Sequence, residues 1–145
     1  MGVSVALALS EAERALGRAI RHAVFVEEQA VPPDVEVDGL DDTCQHYLAR
    51  VGTEAVATAR ARTTSRGWKI ERVAVLVAQR RRSVGATLVR SMLADAPEGL
   101  VVYVHAQESA LGFWQQLGFS AEGQRFFEGG IAHRLMVWTS GHSLG

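Results

Sequence analysis

Residues 70–89 (IERVAVLVAQRRRSVGATLV) constrain the fold most, because a strand pattern, a basic turn and a helix pattern follow one another there. The first part is a nearly continuous run of β-forming apolar residues, which is typical of a buried strand. Three arginines then precede Ser83, a helix-capping residue type, and Gly85, whose small size lets a ligand approach the backbone. From Leu88 onward apolar residues recur at helical spacing. The pattern predicts a strand that feeds a helix through a turn, an arrangement that binds phosphate.

The remaining sequence alternates strand and helix patterns around this segment. Ser10 and Glu13 form a capping-box pair, which predicts a helix start. That helix continues or bends through residues 24–29 and ends before Pro32, after which residues 31–44 form an acidic loop. The predicted strands are 3–9, 45–51, 54–63, 68–77, 100–106, 121–127 and 131–139, and the later helices run from about 84 to 95 and from 107 to 119. This order predicts the α/β class (an α+β mixed sheet), with a central mixed β-sheet flanked by helices.

Length and composition limit the function classes. With 145 residues, 48% hydrophobic and 21% charged, the chain has a globular composition and is expected to form a single domain over residues 1–145. The net charge of −1 provides no general attraction to nucleic acid or to an anionic membrane, so neither is expected as a partner. Cys44 is the single cysteine, and the N-terminus has no long apolar run, so a cytoplasmic location is expected. Whether the protein forms a homodimer is left open.

Three separated blocks resemble one family. Residues 80–86 (RRRSVGA) resemble the Q/R-x-x-G-x-G/A signature of the GNAT acetyltransferases, with Ser83 where the family usually has glycine. Residues 106–119 resemble the "A…FY…GF" segment of that family. Residues 21–46 and 126–133 resemble its bacterial ElaA/YjcF-like branch. The resemblance covers essentially the whole chain.

The resemblance implies a GNAT-like acyl-CoA N-acyltransferase fold and transfer of an acetyl group from acetyl-CoA directly to a primary amine of a small molecule or peptide. No metal is implied. Backbone groups of the strand would pair with the pantetheine arm, and N–H groups of the loop would bind the pyrophosphate. The implied cofactor-binding residues are Val73, Ala74, Val75, Arg80, Arg81, Arg82, Ser83, Val84, Gly85, Ala86, Gln107, Phe113 and Trp114.

Direct transfer also needs a base. An alkyl ammonium has a pKa of about 10.4, so its neutral form lies roughly 4.6 kcal/mol uphill at pH 7. Glu71, within the cofactor strand, is the first candidate, and the alternative is a structural pair with a nearby arginine. His46 and His133 lie on predicted strands and are the other candidates, each with a structural alternative.

The acceptor side is predicted from acidic residues. The candidates for substrate binding are Glu28, Asp38 and Asp42, because an acidic loop attracts a cationic amine. The alternative for each carboxylate is a solvated loop.

Trp114 stands where the family commonly has a tyrosine that protonates the leaving CoA thiolate. Indole is a donor that does not release a proton at useful pH, so this role does not carry over, and Tyr103 is left as a substitute. Two other functions therefore stay open. One is a non-catalytic acyl-CoA-binding regulatory module, supported by Ser83 and Trp114; the other is a nucleotide or RNA binder that uses residues 80–82, which the missing basic surface elsewhere disfavours.

Overall fold

The computed structural model describes residues 2–80 and 83–139. Its seven strands form one mixed sheet in the order β1-β2-β3-β4-β5-β7-β6, which confirms the predicted class. The strands are β1 (Val3–Leu7), β2 (Gln45–Val51), β3 (Glu54–Thr64), β4 (Gly67–Val75), β5 (Val102–Gln107), β6 (Phe119–Glu128) and β7 (Ile131–Trp138). The α-helices are α1 (Glu11–Arg21), α2 (Pro33–Glu36), α3 (Val84–Ala94) and α4 (Leu111–Gln116). No helix in these described ranges has both the length and the apolar character needed to span a membrane.

The first of two compact units comprises residues 1–62 and 72–95. Its antiparallel pair β2–β3 confirms the predicted hairpin, and β1 pairs antiparallel with β2. The capping box at the start of α1 is formed as predicted, because Ser10 accepts from the Glu13 N–H while the Glu13 carboxylate accepts from the Ser10 N–H. A core cluster lies against this helix and consists of Ala8, Ile20, Val24, Leu48 and Ala74.

The chain after α1 settles two points that the sequence left open or predicted otherwise. A π-helix follows directly over His22–Glu28, and the Gln29 N–H donates to the Val24 carbonyl five residues earlier. The segment predicted as a continuous acidic loop contains the short helix α2, which begins with Pro33 at a position where its fixed φ suits a helix. A 3-10 turn over Asp41–Thr43 then leads into β2.

Helix α3 is anchored by the side chains of Val84, Leu88, Val89 and Met92, each 0–1% exposed. It packs against β1 and β2 and ends near Asp95, whose carboxylate accepts a 3.0 Å hydrogen bond from the Tyr47 hydroxyl. Burial and this carboxylate raise the pKa of Tyr47. Strand β4 is shorter than predicted, because Val77–Gln79 forms a 3-10 turn instead of continuing the strand.

The second unit comprises residues 63–71 and 96–145. Its β4–β5 ladder is parallel, and β5–β7 and β6–β7 are antiparallel. One face of this part of the sheet is its core and carries Trp68, Ile70, Val104, Phe119 and Met136, each 0–2% exposed. By strand alternation the other face carries Lys69, Glu71, Tyr103, His105, His133 and Glu128. Most ionisable side chains of this unit's strands therefore share one face.

The helix predicted over residues 107–119 is shorter. Gln107 is the last residue of β5, and a 3-10 turn over Glu108–Ala110 precedes α4. Gly118 does end the helical segment as predicted, with φ +97°.

Candidate functional site

The start of α3 is an anion-binding geometry. Ser83 occupies the N-cap position with φ +61° and ψ 15°, which is the left-handed region that favours glycine. Ser83 is therefore the N-cap residue, as predicted, although within the described part of the chain its side chain makes no capping hydrogen bond. The first N–H groups of a helix lack intrahelical acceptors and lie at the positive end of its dipole, so those of Val84, Gly85 and Ala86 are suited to an anion. Arg81 and Arg82, two predicted ligands of this loop, lie outside the described residues.

Arg80 was predicted to bind the cofactor and Glu28 the acceptor amine. In the structure the two side chains form an ion pair with each other. Both terminal guanidinium nitrogens of Arg80 donate to the Glu28 carboxylate, at 2.6 and 2.7 Å. The Arg80 Nε–H also donates to the Val75 carbonyl at 3.0 Å, so Arg80 links the end of β4 to the π-helix. The bond from Arg80 lowers the pKa of Glu28.

The pantetheine-binding stretch predicted at Val73, Ala74 and Val75 is the end of β4. Ala74 is 2% exposed and faces the core, so Val73 and Val75 point to the opposite side of the strand. Arg72, directly before them, has φ +54°, an unusual value for a side-chain-bearing residue within a strand. Its side chain is held by Glu36 and Asp38, at 3.0 and 3.2 Å.

These contacts belong to a larger arginine–carboxylate network in the first unit. It pairs three arginines with three carboxylates: Arg21, Arg60 and Arg72 with Glu36, Asp38 and Asp41. The side chains of Arg60, Arg21 and Glu36 are 0%, 3% and 5% exposed, so the centre of the network is dry.

The network neutralises much of the acidic stretch that was predicted to attract an amine. Arg60 binds Asp38 at 2.6 Å and Asp41 at 2.8 Å, and Arg21 binds Asp41 at 2.8 Å. Burial alone raises the pKa of Asp38, but the bonds from Arg60 and the Leu40 N–H, with the charges of Arg60 and Arg72, lower it well below its usual value. Asp42 lies exposed on the adjacent 3-10 turn.

Glu71 is buried in the second unit and pairs with Lys69, whose Nζ lies 3.0 Å from the Glu71 carboxylate. Lys69, on the same strand, is one cation beside Glu71, and the pair with an arginine that the sequence left open stays a prediction. The two residues share a strand face, as alternation predicts. Each is 8–9% exposed, so the pair is largely shielded from water.

His46 and His133 each use one ring nitrogen to bind a carbonyl. His46 Nε2 lies 2.8 Å from the Asp41 carbonyl, and His133 Nδ1 lies 2.6 Å from the Ile131 carbonyl. Because a carbonyl only accepts, both of these nitrogens carry the proton in the neutral ring. His46 is 8% exposed, and the His133 ring stacks on Phe126 at 5.9 Å.

The sequence interpretation missed His105. Its Nδ1 lies 2.6 Å from the Glu128 carboxylate, and its ring meets the edge of Phe126 at 4.9 Å. The hydrogen bond from His105 lowers the pKa of Glu128, with the charges of Lys69 and His133 acting in the same direction against the effect of burial. The pairing of three strands brings these residues together, and no short spacing in the sequence signals it.

The remaining predicted residues lie around α4 and β5. Trp114 is 6% exposed and packs edge-on against Phe119 and Phe113, at 5.0 and 5.2 Å between ring centroids. Gln107 ends β5 opposite His133. The Tyr103 hydroxyl, proposed as a substitute acid, lies 2.6 Å from the Thr64 hydroxyl. In residues 2–80 and 83–139, no group of three or more potential metal ligands is arranged to hold an ion.

Two Bacillus subtilis proteins are similar in sequence. The uncharacterized protein YyaT is 38% identical over 123 residues, which cover 81% of this chain and 83% of YyaT. The uncharacterized N-acetyltransferase YjcF is 30% identical over 121 residues, covering 81% of this chain and 86% of YjcF.

Solved structures agree with this similarity. Escherichia coli ElaA is 29% identical, with a TM-score of 0.85 over 95% of this chain and 100% of ElaA. An aminoglycoside 6'-N-acetyltransferase complexed with coenzyme A shares the fold, with 12% identity and a TM-score of 0.71 over 94% of this chain and 96% of that enzyme. The family model of the acetyltransferase (GNAT) domain matches residues 10–140. The chain therefore belongs to the GNAT acetyltransferase family.

Proposed function

We propose that the protein transfers the acetyl group of acetyl-CoA directly to a primary amine of a small molecule or peptide. The observation that carries the proposal is the start of α3, where a left-handed Ser83 follows the basic turn and no side-chain cap is formed in the described residues. A fold relative, the aminoglycoside 6'-N-acetyltransferase, was solved with coenzyme A, which supports acyl-CoA as the ligand class. A cytoplasmic location stays a prediction that rests on the cysteine content.

In this proposal the backbone does most of the cofactor binding. The N–H groups of residues 83–86 hold the diphosphate, where aligned backbone donors stabilise negative charge without reorganisation. Backbone groups of Val73 and Val75 pair with the pantetheine amides. Arg80 fixes the end of β4 through the Val75 carbonyl and is itself held by Glu28. Gln107, Phe113 and Trp114 remain predicted cofactor contacts.

The acceptor step needs the amine to lose a proton before it attacks the thioester. The candidate bases that the sequence offers are Glu71, His46 and His133, and each has a partner in the structure. Glu71 neutralises Lys69, while the two histidines each donate to a carbonyl and keep the other ring nitrogen for a proton. A CoA thiolate, with a thiol pKa of about 8.5, leaves without obligatory protonation, so Trp114 at the usual tyrosine position does not prevent turnover.

Binding is tested with Gly85→Val. A branched side chain at the helix start crowds the diphosphate, so we expect the thermal shift produced by acetyl-CoA to disappear while the protein stays folded. Ala94→Val is the matched control, because it places the same side chain at the exposed far end of α3. Equal acetyl-CoA affinity in both variants would contradict the assignment of the loop.

The second candidate function, an acyl-CoA-binding module without turnover, is favoured by the burial of Trp114 among Phe113 and Phe119. A thiol-release screen over primary amines separates the two functions. Saturable acetyl-CoA binding with no thiol release from any amine supports the module.

A further inference from the structure

We propose that His105 and Glu128 are the proton-accepting pair for the acceptor amine, and that the cavity beside them binds a primary amine with a short apolar or aromatic group. The inference rests on the proposed acetyl transfer and identifies its base and its acceptor class. Both residues belong to the second unit, on the sheet face that also carries Lys69 and Glu71.

The geometry of the pair determines which nitrogen is basic. A carboxylate only accepts hydrogen bonds, so the 2.6 Å contact assigns the proton of the neutral ring to His105 Nδ1. The lone pair is then on Nε2, which is the nitrogen able to take a proton. When it does so, the positive charge of the imidazolium forms next to the negative charge of Glu128. The same division of roles between carboxylate and imidazole operates in catalytic triads.

Aromatic contacts fix the ring in place. The His105 ring makes an edge-to-face contact with Phe126, with 4.9 Å between the ring centroids, and its centroid lies 5.9 Å from that of Tyr103, two residues earlier on β5. The side chain of His105 is 29% exposed, so it is accessible to a ligand.

The other histidines within residues 2–80 and 83–139 lack this combination. His46 and His133 donate to backbone carbonyls, which orient a ring but carry no full negative charge to offset an imidazolium. His22 does face a carboxylate, but its Nδ1 lies 3.8 Å from Glu27 and both side chains are more than half exposed. The exposed pair of His22 and Glu27 therefore serves as the surface control.

A cavity of about 330 Å³ is lined by His105 together with Arg66, Glu122, Phe126 and Leu135. It lies where the β6–β7 register shifts between Glu122 and Phe126. This volume is at the lower end of the range for ligand pockets, about 300–1,000 Å³, which suits a small molecule.

The lining indicates the ligand. Phe126 and Leu135 provide apolar surface, and the Glu122 carboxylate provides a partner for an ammonium group. The Arg66 guanidinium lies 5.8 Å from the centroid of the Tyr103 ring, an arrangement in which the ring faces its positive charge. Together these groups fit an ammonium attached to a short hydrocarbon or aryl group.

The reaction balances with these residues. His105 Nε2 takes one proton from the ammonium, and the nitrogen lone pair forms the C–N bond at the thioester carbonyl carbon. The C–S bond breaks with its electron pair on sulfur, and the second proton lost by nitrogen ends on the thiolate. The products are the amide, CoA and one proton that His105 releases to water.

The test uses 2-phenylethylamine as the acceptor and follows thiol release against pH. The charged and titratable groups around the pair are Glu128, Arg66, Glu122 and Tyr103, with Lys69 and His133 acting on Glu128. In the wild type, kcat/KM should rise with pH through an inflection as the base loses its proton. His105→Gln should lose kcat/KM by ~10²–10⁴-fold and lose this inflection, while acetyl-CoA affinity and melting temperature stay constant.

Two further variants separate catalysis from structure. Glu128→Gln keeps an acceptor for Nδ1–H but removes the charge, so kcat should fall less than in His105→Gln while acetyl-CoA affinity is kept. His22→Gln should leave every parameter unchanged. A titration of the wild type with 2-phenylethylamine, read from the His105 ring signals by NMR, measures the cavity independently of turnover.

Each outcome decides one claim. Unchanged kcat/KM and pH profile in a folded His105→Gln overturn the assignment of the base. Acetyl-CoA binding without any NMR response to 2-phenylethylamine overturns the acceptor class. A wild type that binds no acetyl-CoA contradicts the proposed function instead, and an NMR response in that case still supports the amine cavity.

Discussion

Replacing Glu36 by Gln tests whether the arginine–carboxylate network stabilises the fold around β4. One carboxylate oxygen of Glu36 accepts from Arg21 Nε and Nη2, at 3.0 and 2.7 Å, and from Arg72 Nε at 3.0 Å. Glu36 and Arg21 are 5% and 2% exposed, so water does not replace the lost charge. In the variant, Arg21 and Arg72 lose the negative charge that Glu36 provides.

The magnitude follows from the partners that remain. Removing one member of a buried ion pair costs about 3–5 kcal/mol. Arg21 retains Asp41, and Arg72 retains Asp38 and the Glu36 carbonyl, so part of the cost is avoided. We therefore expect the free energy of unfolding to fall by about 2–4 kcal/mol. For a chain of this size the melting temperature should fall by about 6–12 °C.

The assay is equilibrium unfolding in urea, followed by tryptophan fluorescence, with the melting temperature measured in parallel. Glu11→Gln is the matched control, because the Glu11–Arg18 pair is formed by side chains that are 75% and 45% exposed. An exposed pair contributes about 0–1 kcal/mol, so the control should stay close to the wild type. Equal, small losses in both variants would show that the network adds no stability beyond a surface pair.

Four other predictions concern particular backbone and charge features. The pKa of Asp38 is lowered from 3.8 in the folded state, so its contribution to stability is complete above pH 3.8 and is lost as pH falls below that value. In a pH series of urea unfolding, the stability of Asp38→Asn should therefore decline less steeply in acid than that of the wild type. Gly67→Ala should fail to fold or lose more than about 3 kcal/mol by the same assay, since its Cβ would lie 2.1 Å from the Val101 carbonyl oxygen at φ +147°. Ser83→Gly should relieve the left-handed strain of about 1 kcal/mol at the cofactor loop, and an unchanged or lower melting temperature would contradict this. Glu71→Gln should lower the melting temperature because Lys69 loses its counter-ion, whereas a rate loss that shrinks at high pH would identify Glu71 as the base.

The sequence by itself determined the local elements, because their signals lie within a few residues. The Ser10–Glu13 capping box, the hairpin of β2 and β3 and the strand–turn–helix around residue 80 need no distant contact to be recognised. The family signature at residues 80–86 follows from the same short spacing. Two errors were at element ends, where Val77–Gln79 and Glu108–Ala110 form 3-10 turns whose limits depend on packing, and a third was the short helix α2 inside the predicted loop.

Only the tertiary structure decided which charged side chains are paired with each other and which remain available for binding or catalysis. Arg60 binds Asp38 and Asp41 across a sequence separation that no periodicity encodes, and this changes an acidic stretch into a neutralised network. Likewise, His105 and Glu128 meet because β7 pairs with both of their strands. Periodicity shows which side of a strand a residue faces, but the identity of its partner depends on strand order and register, which are set by the whole sheet.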